Sequence, residues 1–198
     1  MRVVITQRVD SVEGRSEKRD ALDQAWATTL PQLLGRDVTM LPLANFPEQA
    51  TAALEAMKPE LLVLSGGNDI GAAPERDATE AAVLNYAKQY KLPVLAVCRG
   101  MQFMQHHFGG ALVKLEGHVA TEHAVRSRDG SEFIVNSYHH FGITTLATGL
   151  KPFYAHVDGS IEAAKHETLP WLAIMWHPER AMPPEANLWL AQQLKGWL

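Results

Sequence analysis

The sequence predicts an α/β protein: an open, mostly parallel sheet with flanking helices and a small antiparallel annex, in a single domain over residues 1–198. Three observations predict it. Through residue 110, short apolar runs alternate with stretches whose apolar residues recur every three or four positions, the pattern of βαβ units. Beyond residue 110 the apolar runs are separated by turn residues alone, and Asp158-Gly159 has the chemistry of a hairpin turn. A last periodic stretch over 183–198 predicts a closing helix with Leu190, Leu194, Trp197 and Leu198 on one face.

Taken in order, residues 3–6 form a first buried strand and 8–16 a polar loop. A helix is expected from Glu17, carried by Leu22, Ala25, Trp26, Thr29 and Leu33, broken or restarted at Pro31 and closed by Gly35. Residues 38–43 give a second strand. Asn45 with Glu48 three residues later predicts a capped helix start, with Leu54 and Met57 facing inward. Residues 61–64 give a third strand ending in Ser65-Gly66-Gly67-Asn68-Asp69, 77–90 a helix, and 93–97 a fourth strand. Shorter strands follow at 111–115, 132–137, 153–157, 161–165 and 171–176. The polar stretch 116–131 between them is a candidate lid.

Composition narrows the function classes. The chain is 46% hydrophobic and 20% charged, ordinary for a soluble globular protein. Its net charge of −4 gives no reason to expect a nucleic acid or an anionic membrane as partner. One cysteine excludes an internal disulfide and suits a reducing cytoplasm. The amino terminus turns polar after three apolar residues, too soon for a signal peptide, and no apolar run nears the roughly 20 residues that span a bilayer. The expectation is a cytoplasmic protein acting on a small molecule, for which a homodimer is allowed.

The chain is organised around residues 92–102. Ala96-Val97-Cys98-Arg99-Gly100 reads as small-x-nucleophile-x-small on a sharp strand-to-helix turn, since Met101, Met104 and Phe108 then recur at helical spacing. Small flanking residues let strand and helix backbones approach closely there. A thiol at a helix N-terminus sits in a positive field that favours the thiolate. The Arg99 N–H would point at an oxygen on the carbon under attack, and the Gly67 N–H would supply the other half of an oxyanion hole. Each feature alone has a plain structural reading: an inert buried thiol for Cys98, a tight turn for Gly66-Gly67.

A cysteine nucleophile needs a base and a group to orient that base. Of nine histidines, His177 follows an apolar run, is fixed by Pro178, and has Glu179 two residues on to accept its other ring N–H. His106 and His107 fit packing or surface roles. His118 and His123 could hold a metal only if the fold brought them to His139 or His140; with one cysteine and no zincin motif, neither metal nor cofactor is expected.

The motifs Val-Leu-Ser-Gly-Gly-Asn-Asp, Ala-Val-Cys-Arg-Gly-Met-Gln, Val-Asn-Ser-Tyr-His-His, Asp-Gly-Ser-Ile-Glu-Ala and Met-Trp-His-Pro-Glu, in this order, resemble the class I glutamine amidotransferase fold, a flavodoxin-like sheet, across about residues 1–180. Within it they are most similar to the γ-glutamyl hydrolase branch. That resemblance implies a Cys98-His177-Glu179 triad, an oxyanion hole from Gly67 and Arg99, and a γ-glutamyl thioester that releases glutamate. It further implies substrate contacts from Gln102, Gly66, Asn136, Ser137, Tyr138, His139 and Arg8. Ala96 stands where the family usually has glycine, and Phe141 and Trp26 depart from the pattern of the γ-glutamyl-aminobutyrate hydrolases. Ile-Thr-Gln-Arg at 5–8, Glu17 with Arg19, Ala21-Leu22-Asp23 with Trp26, and Asn-Ser-Tyr-His-His-Phe look similar instead to the hydrolases of γ-glutamyl-CDP-amidate in capsular phosphoramidate synthesis. A nucleotide diphosphate leaving group would want cationic contacts, for which Arg8, Arg19 and Arg99 are candidates. The alternatives are a glutaminase subunit serving a synthase, a hydrolase of another γ-glutamyl conjugate such as γ-glutamyl-aminobutyrate, and a binding protein that keeps the fold without the chemistry.

Overall fold

The structure is a computed structural model that describes residues 1–197. Its elements in chain order are β1 (Arg2–Thr6), β2 (Arg8–Ser11), β3 (Lys18–Ala21), α1 (Trp26–Leu34), β4 (Thr39–Leu43), α2 (Pro47–Met57), β5 (Leu61–Leu64) and α3 (Pro74–Tyr90). Then come β6 (Val94–Val97), α4 (Arg99–His107), β7 (Val113–Lys114), β8 (Val119–Ser127), β9 (Glu132–Tyr138) and β10 (Phe141–Gly142). The chain continues with β11 (Leu150–Ala155), β12 (Ile161–His166), β13 (Trp171–Ile174) and α5 (Pro184–Lys195).

Nine strands form one mixed sheet in the order β4-β1-β5-β6-β13-β12-β11-β8-β9. The first five are parallel, and β13 turns the sheet antiparallel through β12, β11, β8 and β9. Counted in chain order, the parallel strands run 2-1-3-4-5, the flavodoxin-like order expected from the sequence. The antiparallel annex is therefore continuous with the main sheet. Two-stranded ribbons, β2-β3 and β7-β10, lie beside it.

Both faces of the parallel strands are covered, which is why they read as unbroken apolar runs. Val3, Ile5, Leu61, Val63, Leu95, Val97, Leu172 and Ile174 pack with Leu30 and Leu33 of α1 and Leu190 and Leu194 of α5. Their neighbours Val4, Leu62, Leu64, Val94, Ala96 and Ala173 point the other way, onto Leu54 of α2, Leu84 of α3 and Met104 of α4. The alternation is the period-two geometry of a strand. Trp197 packs on the first cluster with α5, while Leu198 lies outside the described residues.

Several local expectations change. Residues 8–11 and 18–21, expected as loop and helix start, pair as an antiparallel ribbon in the register Arg8↔Ala21 to Ser11↔Lys18. Tertiary contact decides this. Asn68 clamps Val9, accepting its N–H at 2.8 Å and donating to its carbonyl at 2.7 Å. Helix α1 consequently begins at Trp26, runs through Pro31 and ends on left-handed Gly35. Asn45 does not cap α2: its amide donates to the Gln7 carbonyl and to Asp20, and Phe46 takes the N-cap position without a side-chain bond. The candidate lid at 116–131 is largely β8, paired with β9 from Val119↔Tyr138 to Arg126↔Glu132. The Asp158-Gly159 hairpin forms as expected, with the His156 N–H donating to the Ser160 carbonyl at 2.9 Å.

Candidate active site

Three parallel strands deliver the site. β5 ends at Leu64 and runs into Ser65-Gly66-Gly67, β6 ends one residue before Cys98, and β13 ends shortly before His177. All three ends lie at the carboxyl edge of the sheet, where ligands of such folds bind.

Cys98 occupies the elbow between β6 and α4, with φ 51° and ψ −106°. This backbone conformation is strained for a residue carrying a Cβ, and such strain gathers at functional sites. The surroundings impose it: the Cys98 N–H donates to the Ile174 carbonyl at 2.8 Å, and its carbonyl accepts from the Gln102 N–H at 3.1 Å. Gly100 explains the small residue after the cysteine, because a Cβ there would stand 2.9 Å from the Leu64 carbonyl carbon. Arg99 opens α4, so its N–H has no acceptor within the helix.

His177 is buried, and its Nδ1 lies 2.7 Å from Glu179 Oε1. Burial alone would push its pKa down. The hydrogen bonds and negative charges of Cys98 and Glu179 outweigh that and raise it to about 9. At neutral pH the ring is thus cationic, with Cys98 on one side and Glu179 Oε1 against Nδ1. Gly66 makes room for it: a Cβ on Gly66 would fall 2.7 Å from His177 Cε1. Gly67 has φ 134° and is backed by the Arg8 Cβ and the Arg76 guanidinium, so no side chain fits there either.

Beneath this loop lies a buried charge network that no motif in the sequence singles out. Arg76 donates to Glu80 at 3.0 Å and to the Ser65 carbonyl at 2.7 Å. The Arg99 guanidinium pairs with Glu80 and Asp77 and stacks over Phe103, while its Nε donates to the Asn68 carbonyl at 3.2 Å. Thr6 completes the set by donating to Glu80 at 2.8 Å. Two arginines against two carboxylates leave the group neutral. Burial pushes Arg76 to about 10 and Arg99 to about 9, so both remain cationic at neutral pH. The network ties the 65–68 loop to α3 and α4, which fixes the Gly67 backbone relative to Cys98.

The structure redistributes the expected substrate contacts. Tyr138 is exposed and meets the His177 ring edge-on, with the exposed Arg180 guanidinium 4.4 Å from its ring centre. Arg8 is exposed beside Asp10 on the ribbon that Asn68 holds against the loop. Gln102 is buried and donates to the Phe141 carbonyl at 2.7 Å. Asn136, Ser137 and His139 turn their side chains elsewhere. The Asn136 carboxamide is spent on the His177 backbone, and the Ser137 hydroxyl donates to the His118 carbonyl at 2.7 Å. His139 is buried and faces Glu162 rather than the cleft. The Arg99 side chain is likewise closed to a leaving group, since its charge is already paired in the interior.

The family model for peptidase C26 matches residues 6–179. The chain belongs to this family. Its members are cysteine-dependent amide hydrolases, and so is this peptidase C26 chain. The γ-glutamyl-CDP-amidate hydrolase of Campylobacter jejuni subsp. jejuni serotype O:2 is 32% identical, over 100% of the chain and 97% of that protein. The γ-glutamyl-γ-aminobutyrate hydrolase of Escherichia coli O157:H7 is 29% identical over 57% of the chain and 56% of that protein. Among solved structures, a glutamine amidotransferase of Thermotoga maritima superposes with a TM-score of 0.65 at 14% identity. The match covers 99% of the chain and 95% of that structure, which shows a shared fold. No helix among the described residues is long and apolar enough to cross a membrane.

Proposed function

We propose that this peptidase C26 member hydrolyses a γ-glutamyl amide in the cytoplasm, with Cys98 as nucleophile and γ-glutamyl-CDP-amidate as the favoured substrate. One observation supports the proposal: the chain's sole cysteine stands on a strained helix-entry turn beside a histidine whose pKa it helps to raise and whose Nδ1 lies 2.7 Å from Glu179. The cysteine dependence of the family can fall on no other residue of this chain.

In the proposed sequence the Cys98 thiolate attacks the γ-carbonyl carbon, and the oxyanion forms against the N–H groups of Gly67 and Arg99. The His177 imidazolium gives its proton to the departing nitrogen as the C–N bond breaks, leaving a γ-glutamyl thioester and neutral imidazole. His177 then takes a proton from water, the hydroxide attacks the thioester, and glutamate leaves as the thiolate returns. Glu179 keeps Nδ1 protonated throughout, so that Nε2 faces the chemistry.

The full-length similarity to the Campylobacter jejuni enzyme supports the CDP-amidate substrate over the aminobutyrate conjugate, whose hydrolase matches little more than half of the chain. The rim supplies cations for a diphosphate: Arg180 stacked on Tyr138 beside His177, and Arg8 on the neighbouring ribbon. The test is glutamate release from γ-glutamyl-CDP-amidate, γ-glutamyl-aminobutyrate and glutamine, each presented to the purified chain. The first should give the highest kcat/KM. A higher value for the aminobutyrate conjugate would reassign the leaving group, and turnover of glutamine only with an added synthase would reassign the chain as a glutaminase subunit.

A further inference from the structure

Around Glu162 of β12, the fold gathers side chains that the proposed hydrolysis does not use. A metal at His118 and His123 requires that the fold bring them to His139 or His140. It does so with His139 and adds Glu162.

The decisive observation is what these buried groups lack. His118 Nδ1, His123 Nε2, His139 Nε2 and Glu162 Oε2 have no hydrogen-bond partner. They are four of the eight buried side-chain atoms so stranded among the described residues, and the three rings surround the one carboxylate. A buried polar atom left unpaired is destabilising, so four together need an explanation. Their spacing supplies one. Glu162 Oε1 lies 3.8 Å from His118 Nδ1, and Glu162 Oε2 lies 3.4 Å from His123 Nε2 and 3.7 Å from His139 Nε2. One ligand atom each from His118, His139 and Glu162 lies within 4.8 Å of the others, against about 3.3 Å between the ligands of a tetrahedral zinc, so side-chain shifts on the order of 1 Å would seat an ion.

The outer contacts fix the tautomers that a metal requires. His118 places its other nitrogen, Nε2, 2.8 Å from Asp158 Oδ2, and His139 places Nδ1 3.1 Å from the Phe141 carbonyl. With a proton on each outer nitrogen, the inner nitrogen presents a lone pair. This carboxylate–histidine and carbonyl–histidine buttressing is how metal-binding imidazoles are held. Asp158 is itself fixed by the Ser160 N–H at 2.9 Å and hydroxyl at 2.7 Å. Two carboxylates, Glu162 and Asp158, balance the charge of one divalent cation.

We propose that His118, His139 and Glu162 form a three-ligand site for a divalent transition metal ion of the zinc class, with His123 beside it, 3.4 Å from Glu162 Oε2. Its ligands come from the start of β8, the end of β9 and from β12, so the ion ties these segments together. It staples the β8–β9 hairpin to β12 of the main sheet. That hairpin carries Asn136 and Tyr138 to His177, so the ion sets the far wall of the cleft. Ala120, held at φ 53° at an irregularity in the β8–β9 register, lies two residues after the ligand His118, where backbone strain would be held by the bound ion.

The test uses the full chain stripped of metal with chelator, then titrated with zinc or cobalt(II). One ion per chain by elemental analysis, the intense visible bands of tetrahedral cobalt(II), and a melting temperature several degrees higher are expected. Asp158→Asn keeps all three ligands and should weaken zinc 10–100-fold, whereas His106→Ala should bind as the wild type does. No stoichiometric uptake by the wild-type chain, an octahedral cobalt spectrum, or unaltered affinity in Asp158→Asn would each overturn the proposal. None of these readouts depends on glutamate release, so they stand or fall apart from the hydrolytic reading.

Discussion

The Asn136 carboxamide grips the His177 backbone from both directions, donating from Nδ2 to the His177 carbonyl at 2.9 Å and accepting the His177 N–H on Oδ1 at 2.8 Å. A residue of the antiparallel annex thereby fixes His177, just past the end of a parallel strand. Asn136→Ala should lower kcat by about 10²-fold, because misplacing a catalytic group by about 1 Å costs that much. It should also cost about 1–3 kcal/mol of stability through the buried backbone groups left unpaired. Steady-state glutamate release and urea unfolding check the two effects, and an unchanged kcat would deny Asn136 its positioning role.

Gly66→Ala tests the packing of the loop against the imidazole. The added methyl would collide with His177 Cε1, and the ring is the side that can shift. Glutamate release should fall by at least about 10²-fold while the circular dichroism spectrum is retained. Near-normal turnover in a folded variant would show that His177 does not work from this position.

The network under the elbow predicts a stability effect of another size. Glu80→Ala would strand the charges of Arg76 and Arg99 in the interior, and breaking such a buried group typically costs about 3–5 kcal/mol. Denaturant unfolding should register it. A loss below about 1 kcal/mol would mean that water enters freely and the network does not hold the loop.

How much of this was legible in the sequence depended on how locally each residue is specified. Cys98, Gly66, Gly67 and His177 each follow an apolar strand, so the order of strands and turns placed them at one edge. Glu80 and Arg76 gave no such signal, for charged residues on a helix usually face water, and only the partner Arg99 from another element makes them interior. β8 was missed because the residues it buries include His123, and an irregularity at Ala120 breaks its alternation. Asn45 reads as a cap until Asp20, 25 residues away, takes its amide. The histidine cluster was legible only as a condition, since its members come from β8, β12 and the loops that flank β8 and β9.

The pKa of His177 sets a pH dependence with a definite sign. Raised in the folded state from 6.5 to about 9, it contributes stability that is fully present below about pH 6.5 and lost as the pH rises through about 9. The same ionisation removes the proton meant for the departing nitrogen, so kcat/KM should fall on the alkaline side with an apparent pKa near 9. Glu179→Gln removes one of the groups that raise it and should move that limb to lower pH. An alkaline limb that stays in place in Glu179→Gln would assign it to another group.

The most direct measurement is intact-mass analysis of the chain treated with a glutamine-derived diazoketone, alongside glutamate release by Cys98→Ala. The account predicts a single covalent adduct that maps to Cys98, no adduct in Cys98→Ala, and loss of turnover in a variant that still folds. Glutamate release by Cys98→Ala at the wild-type rate, or an adduct formed elsewhere, would contradict it.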